Sequence, residues 1–493
     1  MRLEPRKIEL ERLANATKVW LETKNAARLG LVTSIDGGQL CTLVLDPVNG
    51  AAECWLSPLD SDCYKSLTPL VPQAHWFERI LWDMFGIVPE GHPRLKHVVL
   101  HDSYDADFFP LRKVPLKSAR HAGERRFHFL EVRGEGVYEI PVGPIHSGVA
   151  EPGHFRFSCF GETILNLELQ LGYVHRGVEQ RLTEVPWKKA RFVAEAAASD
   201  SSAANALAHA VAIESLMDIQ VSPLAEHVRT LALELERVST HIFDLAEIGK
   251  ALGFSGFYQN LARLREKPLE LAQSLCGSRY MRGLILSGGI QKIQDGSLSQ
   301  IRREIRTLRD DLKSPIGLLQ ESQAAVERME VSGITRSLAH EFGMVGLAAR
   351  SSGIDYDCRR HFSHGCYPQL APHTVVELGG DVMARVKVRV GELSTSFDVI
   401  ESVLETIPGG DLLVSIPENL PANAFSCGVV EAARGELIHM IATGDDGRIR
   451  RYSIKDPSQN NWTAVSIGIR NNLVADFPLS NKSLSLSLSG NDL

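Results

Sequence analysis

The sequence runs to 493 residues, roughly three to four times the length of a typical single domain, so more than one domain is expected. With 44% hydrophobic and 23% charged residues it has the composition of an ordinary globular protein, which excludes disorder over most of its length. The formal charge of -7, from 53 basic and 60 acidic residues with no long basic run, argues against a cationic, sequence-independent nucleic-acid binder.

Apolar stretches are broken by charge well before the length of about eighteen residues that a membrane-spanning helix needs, so none is expected. The start, Met1 to Lys24, lacks the continuous apolar core of a secretory signal. The cysteines (Cys41, Cys54, Cys63, Cys159, Cys276, Cys358, Cys366 and Cys427) are too scattered for a disulfide framework and suit a reducing compartment, so a cytoplasmic protein is expected.

In chain order, Leu10, Leu13, Ala14, Thr17 and Leu21 share one helical face. Leu29 to Ile35 and Gln39 to Leu45 read as strands flanking Asp36-Gly37-Gly38, as in a hairpin. Phe77, Ile80, Leu81, Met84 and Phe85 then repeat at helical spacing, with Glu78, Arg79 and Asp83 on the other face and Gly86 as the stop. These elements predict a small α+β domain over residues 1–115. The basic, glycine-containing run between Pro110 and Gly136 predicts an interdomain linker, drawn at 116–140.

Helical patterns dominate from Gly143 onward, so residues 141–493 are expected to form a second, mainly α domain with a small β region near its end. Ser222-Pro223 supplies an N-cap and a first-turn proline, and Leu224, Val228, Leu231, Leu235, Val238, Ile242 and Leu245 mark one long apolar stripe. Further helices are expected across Leu298 to Met329 and Asp381 to Thr406. Gly428 to Val465, glycine-rich and alternating, predicts short strands and loops. The Ser-Leu tail from Ser483 to Ser489 has strand-like period 2.

Two features carry chemistry on residue type alone. Cys358, His361, His364 and Cys366 are of zinc-ligand type, although their spacing is not that of a known zinc module, so a local metal stands as the weaker alternative to a structural loop. Glu179 is a proton-carrier candidate if it is desolvated; the alternative is a structural ion pair with Arg176 or another arginine.

The string Trp76-Phe77-Glu78-Arg79-Ile80-Leu81-Trp82-Asp83-Met84-Phe85-Gly86-Ile87, followed by Gly91-His92-Pro93 and Pro110-Leu111-Arg112-Lys113, resembles the signature of the C-type (30-kDa) hydrophilic subunit of respiratory complex I. The second part resembles the D-type (49-kDa) subunit and, more closely, the large subunit of group 4 membrane-bound nickel-iron hydrogenases of the formate hydrogenlyase kind. Its motifs are Gly143-Pro144-Ile145-His146, Glu151-Pro152-Gly153-His154-Phe155-Arg156, the run from Gly172 to Glu179 that holds His175 and Arg176, and Glu431 to His439 with Arg434 inside it. In such chains the two parts are often fused in this order.

The resemblance also exposes a departure. Nickel-iron hydrogenases hold their metals with four thiolates from two Cys-x-x-Cys pairs, because soft sulfur suits nickel and low-spin iron. Here the first pair maps near Ala198 and Ser201, and the second onto Ser487 and Gly490, so the nickel-iron centre is expected to be absent. The resemblance implies a 4Fe-4S cluster in an adjacent B-type small subunit, an I-type ferredoxin-like subunit, H-type and antiporter-like membrane subunits, and in some assemblies a dehydrogenase module. It implies a peripheral position on the cytoplasmic face of the inner membrane, and places the tail from Ser483 in the buried core. It also implies that a chain ending near Leu493 carries no extension to be removed. His154, with His146 nearby, falls near the histidine that binds a quinone head group in complex I, but Ala194 to Ala208, which should supply the tyrosine, has none. Arg434 in the family lies over the metal centre; without metals the alternatives are binding an anion or pairing with Glu431, of which the pairing is expected. His154, Glu179, His175, Arg176 and Arg434 are thus the candidate cavity or proton-relay residues of a hydrogenase-related complex. The alternative is a coupling scaffold with no substrate of its own.

Overall fold

The computed structural model describes residues 1–24, 26–115, 125–146 and 151–493. In the amino-terminal module, α1 (Leu10–Thr23) packs on an antiparallel sheet of β3 (Arg28–Ile35), β4 (Gln39–Asp46) and β5 (Ala51–Pro58), with β2 (Arg6–Lys7) parallel at the β5 edge. Ile35 faces Gln39 across the expected hairpin, and Asp36 and Gly37 adopt φ of 56° and 88°, the left-handed pair that such a turn requires. Next, α2 (His75–Phe85) ends at Gly86 with φ 67°, beside the short parallel pair β6 (Cys63–Lys65) and β7 (Val88–Glu90).

The polar face expected on the outside of α2 is buried as well. The Glu78 carboxylate accepts from Tyr64 Oη (2.7 Å), Ser66 Oγ (2.6 Å) and the Leu67 and Thr68 amides (2.7 and 3.0 Å). Asp83 accepts from the Val98 and Val99 amides (2.6 and 2.8 Å). Each carboxylate gathers the backbone of a loop that has no ladder of its own, which satisfies amides that burial would otherwise leave orphaned.

Strand β8 (Val137–Val142) begins inside the stretch expected to be linker and pairs with β9 (His154–Phe160), which pairs with β10 (Thr163–Gln170). Helices α3 (Val178–Glu184), α4 (Trp187–Ala194) and α5 (Ser202–Met217) lead into α6 (Pro223–Ala251), α7 (Ser255–Cys276) and α8 (Ser297–Glu321). Ser222 caps α6 by accepting from the Ala225 amide, as expected. A two-residue ribbon, β11 (Ile285–Leu286) with β12 (Gly289–Ile290), joins α7 to α8. Five short helices, α9 (Gln323–Met329), α10 (Arg336–Glu341), α11 (Gly346–Arg350), α12 (Cys358–His361) and α13 (Tyr367–Leu370), precede α14 (Val382–Thr406). Helices α6, α7, α8 and α14 form the bundle, their apolar stripes fused in one core.

The carboxyl-terminal sheet consists of β13 (Phe425–Ala432), β14 (Gly435–Thr443) and β15 (Ile449–Lys455), with β1 (Arg2–Leu3) paired on β13. The expected strands are present, but the stretch assigned to strands and loops ends in a helix, α15 (Pro457–Gly468), capped by the Asp456 side chain. The tail folds as α16 (Phe477–Leu484) and α17 (Leu488–Asn491), mostly buried despite its period 2. Thr33 of β3 accepts from Arg451 (2.8 Å) and Ser453 (3.1 Å) of β15, and Arg28 donates to the carbonyls of Gly343 and Met344 (2.6 and 2.7 Å). One apolar cluster therefore runs through both modules.

Candidate functional site

The turn between β13 and β14 projects Arg434 into a cavity of about 190 Å3 lined by Glu151, Asp200, Asp244, Lys482, Ser485 and Ser487, among others. Close backbone approach sets that turn: a Cβ on Gly435 (φ 131°) would meet the backbone of Gly346. Arg434 reaches two segments. Its Nη1 and Nη2 donate to Asp200 Oδ1 (2.9 Å) and Oδ2 (2.5 Å), Nη1 also contacts Ser201 Oγ (3.3 Å), and Nε donates to the Ser485 carbonyl. Ser485, at φ 52°, ends α16 and donates from Oγ to Asp244 Oδ1 (2.6 Å), whose other oxygen accepts from Arg389 of α14 (3.0 Å). Lys482 pairs with Glu247 on the same rim.

The two segments mapped to metal ligands do converge here, around Arg434. Their side chains do not supply a ligand set. Ala198 is buried at 1% exposure and has no donor atom. Ser487 Oγ is engaged by the Gly490 amide (2.9 Å) and Ser489 Oγ (3.1 Å). A Cβ added at Gly490 would collide with the carboxylate of Asp456, which caps α15 by accepting from the Ser458 amide (2.8 Å). Two hydroxyls and two positions without a donor, one of them against a carboxylate, do not fit a dinuclear centre built on four thiolates.

Arg434 pairs with Asp200, not with Glu431 as expected. Glu431 is occupied by Arg350 Nη1 (2.7 Å) and the Cys358 amide (3.0 Å). Burial by itself would raise the Asp200 carboxyl, but the Arg434 guanidinium outweighs it and holds it below the ordinary value. Behind Asp200, Glu236 is buried on α6 and accepts from the Ala203 and Ala204 amides (2.7 and 3.1 Å); desolvation, with no cation bonded to it among the described residues, pushes its carboxyl up to about 8.

Glu179 does not pair with Arg176. It accepts from Arg451 Nη2 (2.7 Å) and the Ile454 amide (2.8 Å), tying α3 to β15, while Arg176 donates to the carbonyls of Ala196, Ala197 and Ser489. His175 is half-buried before α3, and its Nδ1 has no partner among the described residues. Burial lowers its pKa, opposed by the backbone of Asp492 and Leu493. His146 is exposed. His154 opens β9 at 8% exposure, with Nδ1 3.3 Å from the Gly143 carbonyl and a buried Nε2 without a partner among the described residues. A carbonyl only accepts, so Nδ1 carries the proton and the neutral ring presents an Nε2 lone pair. That orphaned acceptor fits the hydroxyl of a quinol head group; a quinone carbonyl would need the ring to carry a second proton, at Nε2. The tyrosine is lacking, and the aromatic ring beside His154 is Phe129 at 5.3 Å, so the other end is not matched. His154 does not line the Arg434 cavity.

The residues of zinc-ligand type are not brought together, and no group of three or more potential metal-ligating side chains occurs among the described residues. Cys358 Sγ lies 3.4 Å from Tyr356 Oη, His361 Nδ1 donates to the Asp357 carbonyl (2.8 Å), His364 packs against Tyr367 and Cys366 is buried beside Thr230. Burial keeps His364 neutral, at about 4. Asp200, Asp244, Glu236 and Asp456 escaped sequence reasoning. Asp200 alone left a signal, a lone charge inside the small-residue run Ala196 to Ala204.

With this geometry, the matches to known proteins take on structural meaning. Residues 44–119 match the respiratory-chain NADH dehydrogenase 30 Kd subunit family and residues 251–426 the 49 Kd subunit family. Over 446 residues the chain is 32% identical to formate hydrogenlyase subunit 5 of Escherichia coli, covering 87% of this chain and 77% of that one. It is 32% identical to hydrogenase-4 component G of the same organism over 443 residues (88% and 77%), and 27% identical to the C/D subunit of NADH-quinone oxidoreductase from Phocaeicola vulgatus over 417 residues (79% and 78%). A solved structure, the membrane-bound sulfane sulfur reductase, an archaeal respiratory membrane complex, superposes with a TM-score of 0.69 at 25% identity, covering 73% of this chain and 99% of that one. The chain belongs to the family of fused 30-kDa and 49-kDa-type subunits that includes the formate hydrogenlyase and hydrogenase-4 large subunits. No helix among the described residues is long and apolar enough to cross a membrane.

Proposed function

We propose that the chain is a peripheral-arm subunit of a membrane-bound, energy-converting respiratory complex in which an ion-paired polar cavity stands where hydrogenases hold nickel and iron. The observation that carries this reading is the approach of Asp456 to Gly490: the space that a ligand side chain at residue 490 would need is taken by a carboxylate. In this reading a 4Fe-4S cluster of a B-type small subunit packs near Gly143 to Glu179 and supplies electrons. An I-type subunit, and a dehydrogenase module where present, lie upstream. H-type and antiporter-like membrane subunits move the ion. The chain sits peripherally on the cytoplasmic face, with 1–115 as the first domain, 116–140 as linker and 141–493 as the second.

A quinone, where one binds, would be the electron acceptor. Protonated at Nε2, the His154 ring would donate to a quinone oxygen and give it that proton on reduction; neutral, it would accept from the quinol hydroxyl, the ring fixed in either case by the Gly143 carbonyl. His146, exposed, precedes this strand in the chain, while Arg434 and Asp200 form a neutralised pair in the cavity they line.

A specific observation favours the scaffold reading for part of the site. Glu179 has both oxygens engaged, so it acts as a tie between α3 and β15 and not as a relay. The test is purification of the assembled complex from its host, with metal analysis and donor-to-quinone turnover. Nickel near one equivalent per chain, or hydrogen evolution, would overturn the proposal; quinone-linked turnover that is unaffected by His154→Ala would leave the scaffold.

A further inference from the structure

A second and larger cavity, of about 270 Å3, lies at the seam between the amino-terminal module and the second domain, and nothing in the proposed electron path uses it. Its lining comes from α2 and the residues before it, the loop after β7, Phe127, β10, the end of α10 and α15 with Arg470 beyond it. The apolar part includes Pro72, Phe127, Leu167, Leu169, Phe342 and Ile467. The charged part is unbalanced: Arg79, Arg94, Lys96 and Arg470 line the cavity with a single carboxylate, Glu341.

Bonding does not remove the imbalance. Arg94 and Lys96 share the buried carboxylate of Glu168, and Arg470 donates to Asn166 Oδ1 (3.0 Å). Arg79 is buried at 5% exposure, donates to the carbonyls of Lys96 (2.8 Å) and His97 (3.3 Å), and among the described residues forms no ion pair with a carboxylate. It lies 4.8 Å from the Trp76 ring centroid. Four cationic side chains thus meet Glu341 and Glu168, with Asp83 acting on Arg79 only at longer range. A guanidinium taken out of water with no carboxylate bonded to it is costly, and a planar one is suited to a bidentate oxyanion.

Two further groups on the first turn of α2 lack partners among the described residues. Trp76 lines the cavity at 5% exposure, and its indole N–H is buried with no acceptor. His75 also lines it, its Nδ1 buried and unpartnered; burial and the nearby arginines push its pKa down to about 2, so the ring is neutral. Burial, and next to it Arg94, lowers Arg79 only to about 10, so it is charged at neutral pH. Unsatisfied donors beside surplus positive charge and aromatic walls define the complement of a ligand.

We infer that this seam cavity binds a small organic anion, a phosphate or carboxylate carried on an apolar body of about one or two rings. The anionic head is met by Arg79, Arg470 and the Trp76 indole N–H, and the body lies against Phe127 and Phe342. Because the lining comes from both modules, occupancy braces their seam, a ligand that binds only the docked state stabilising it by mass action. The inference is independent of the Arg434 cavity and of the electron path.

The test uses the assembled complex and defined probes: naphthyl phosphate, its two halves (inorganic phosphate and naphthol), and dihexanoyl phosphatidic acid, followed by calorimetry and by thermal unfolding. Saturable binding of naphthyl phosphate or of the phosphatidic acid is expected, with each half weaker by about tenfold or more. The better of the two probes assigns a soluble or a lipid source. Arg79→Met and, separately, Arg470→Gln should each weaken binding about tenfold while the make-up of the complex and its turnover stay unchanged. Should Arg79→Met fail to assemble, Arg470→Gln and the comparison of whole probe with halves decide the matter. Absence of binding by both whole probes, naphthol binding as tightly as naphthyl phosphate, or unchanged affinity in the variants that assemble would overturn the inference.

Discussion

Arg434 and Asp200 meet in a two-pronged contact, Nη1 to Oδ1 at 2.9 Å and Nη2 to Oδ2 at 2.5 Å, between the two segments that the family resemblance assigns to metal ligands. Where the resemblance would place two metal ions stands a neutralised pair. The pair joins the loop before α5 to the β13–β14 turn, and through the Ser485 carbonyl to the end of α16, so it also ties the tail down.

Breaking the pair from one side should therefore cost stability. The Arg434 side chain is 9% exposed and that of Asp200 34%, so the penalty for a lone buried charge is reduced by solvent. A double-mutant cycle of Asp200→Asn and Arg434→Gln, followed by denaturant unfolding near neutral pH, is expected to give a coupling energy of about 1 to 3 kcal/mol. Asp200 has a depressed folded pKa, so this contribution is present above the ordinary carboxylate range and is lost as pH falls through the folded value. Coupling indistinguishable from zero would mean that the pair does not hold the cavity together.

Glu236 has the opposite sign. Its folded pKa, about 8, lies above that of an unfolded glutamate, so the folded state binds the extra proton and stability falls as pH rises from the ordinary range through about 8. Glu236→Gln removes the titration and keeps an oxygen for one of the Ala203 and Ala204 amides, the loss of the other being a constant offset that does not vary with pH. Relative to the parent, the variant should gain up to about 1.4 kcal/mol per pH unit across that window and nothing below it. Thermal unfolding at several pH values checks this; parallel curves would refute it.

The β3–β4 hairpin, α2, α6 and α14 follow directly from apolar period and turn chemistry, and the structure contains all four. The buried faces of Glu78 and Asp83 did not, because period separates apolar from polar and does not reveal that a polar face will meet loop amides instead of water. The same limit hid Asp456 and Glu236: a carboxylate's role depends on what folds against it. Motif position did bring Arg434, Ser201 and Ser487 to one place, while the partner of Arg434, being remote in sequence, was misassigned.

His154 and Glu179 should now behave differently. His154 has a buried Nε2 without a partner among the described residues, so His154→Ala is expected to lower donor-to-quinone turnover about a hundredfold with the make-up of the complex unchanged. Glu179 is a structural tie, so Glu179→Gln should leave turnover per assembled complex within about twofold while lowering the yield or thermal stability of the complex, as expected when one partner of a buried pair is lost. Turnover and native gel composition, measured together, separate the two. Equal catalytic defects in both variants would place Glu179 back in the proton path.

The approach of Asp456 to Gly490 gives the sharpest test of whether a metal ligand has room at residue 490. Gly490 lies in α17 with its amide donated to Ser487 Oγ, and a methyl group at this position would strike the Asp456 carboxylate. Both groups are buried, and Asp456 is fixed by its cap on α15, so it has little room to withdraw. Gly490→Ala should therefore destabilise the protein by about 1 to 3 kcal/mol, the usual scale for overpacking. Asp456→Ser keeps a hydroxyl that can cap α15 and shortens the side chain, so adding it to Gly490→Ala should recover at least about half of the loss. Denaturant unfolding of the two singles and the double measures it. If Gly490→Ala is silent, the site has room for a ligand side chain and Asp456 does not exclude a metal centre; a loss that Asp456→Ser does not relieve would point to strain in α17 itself.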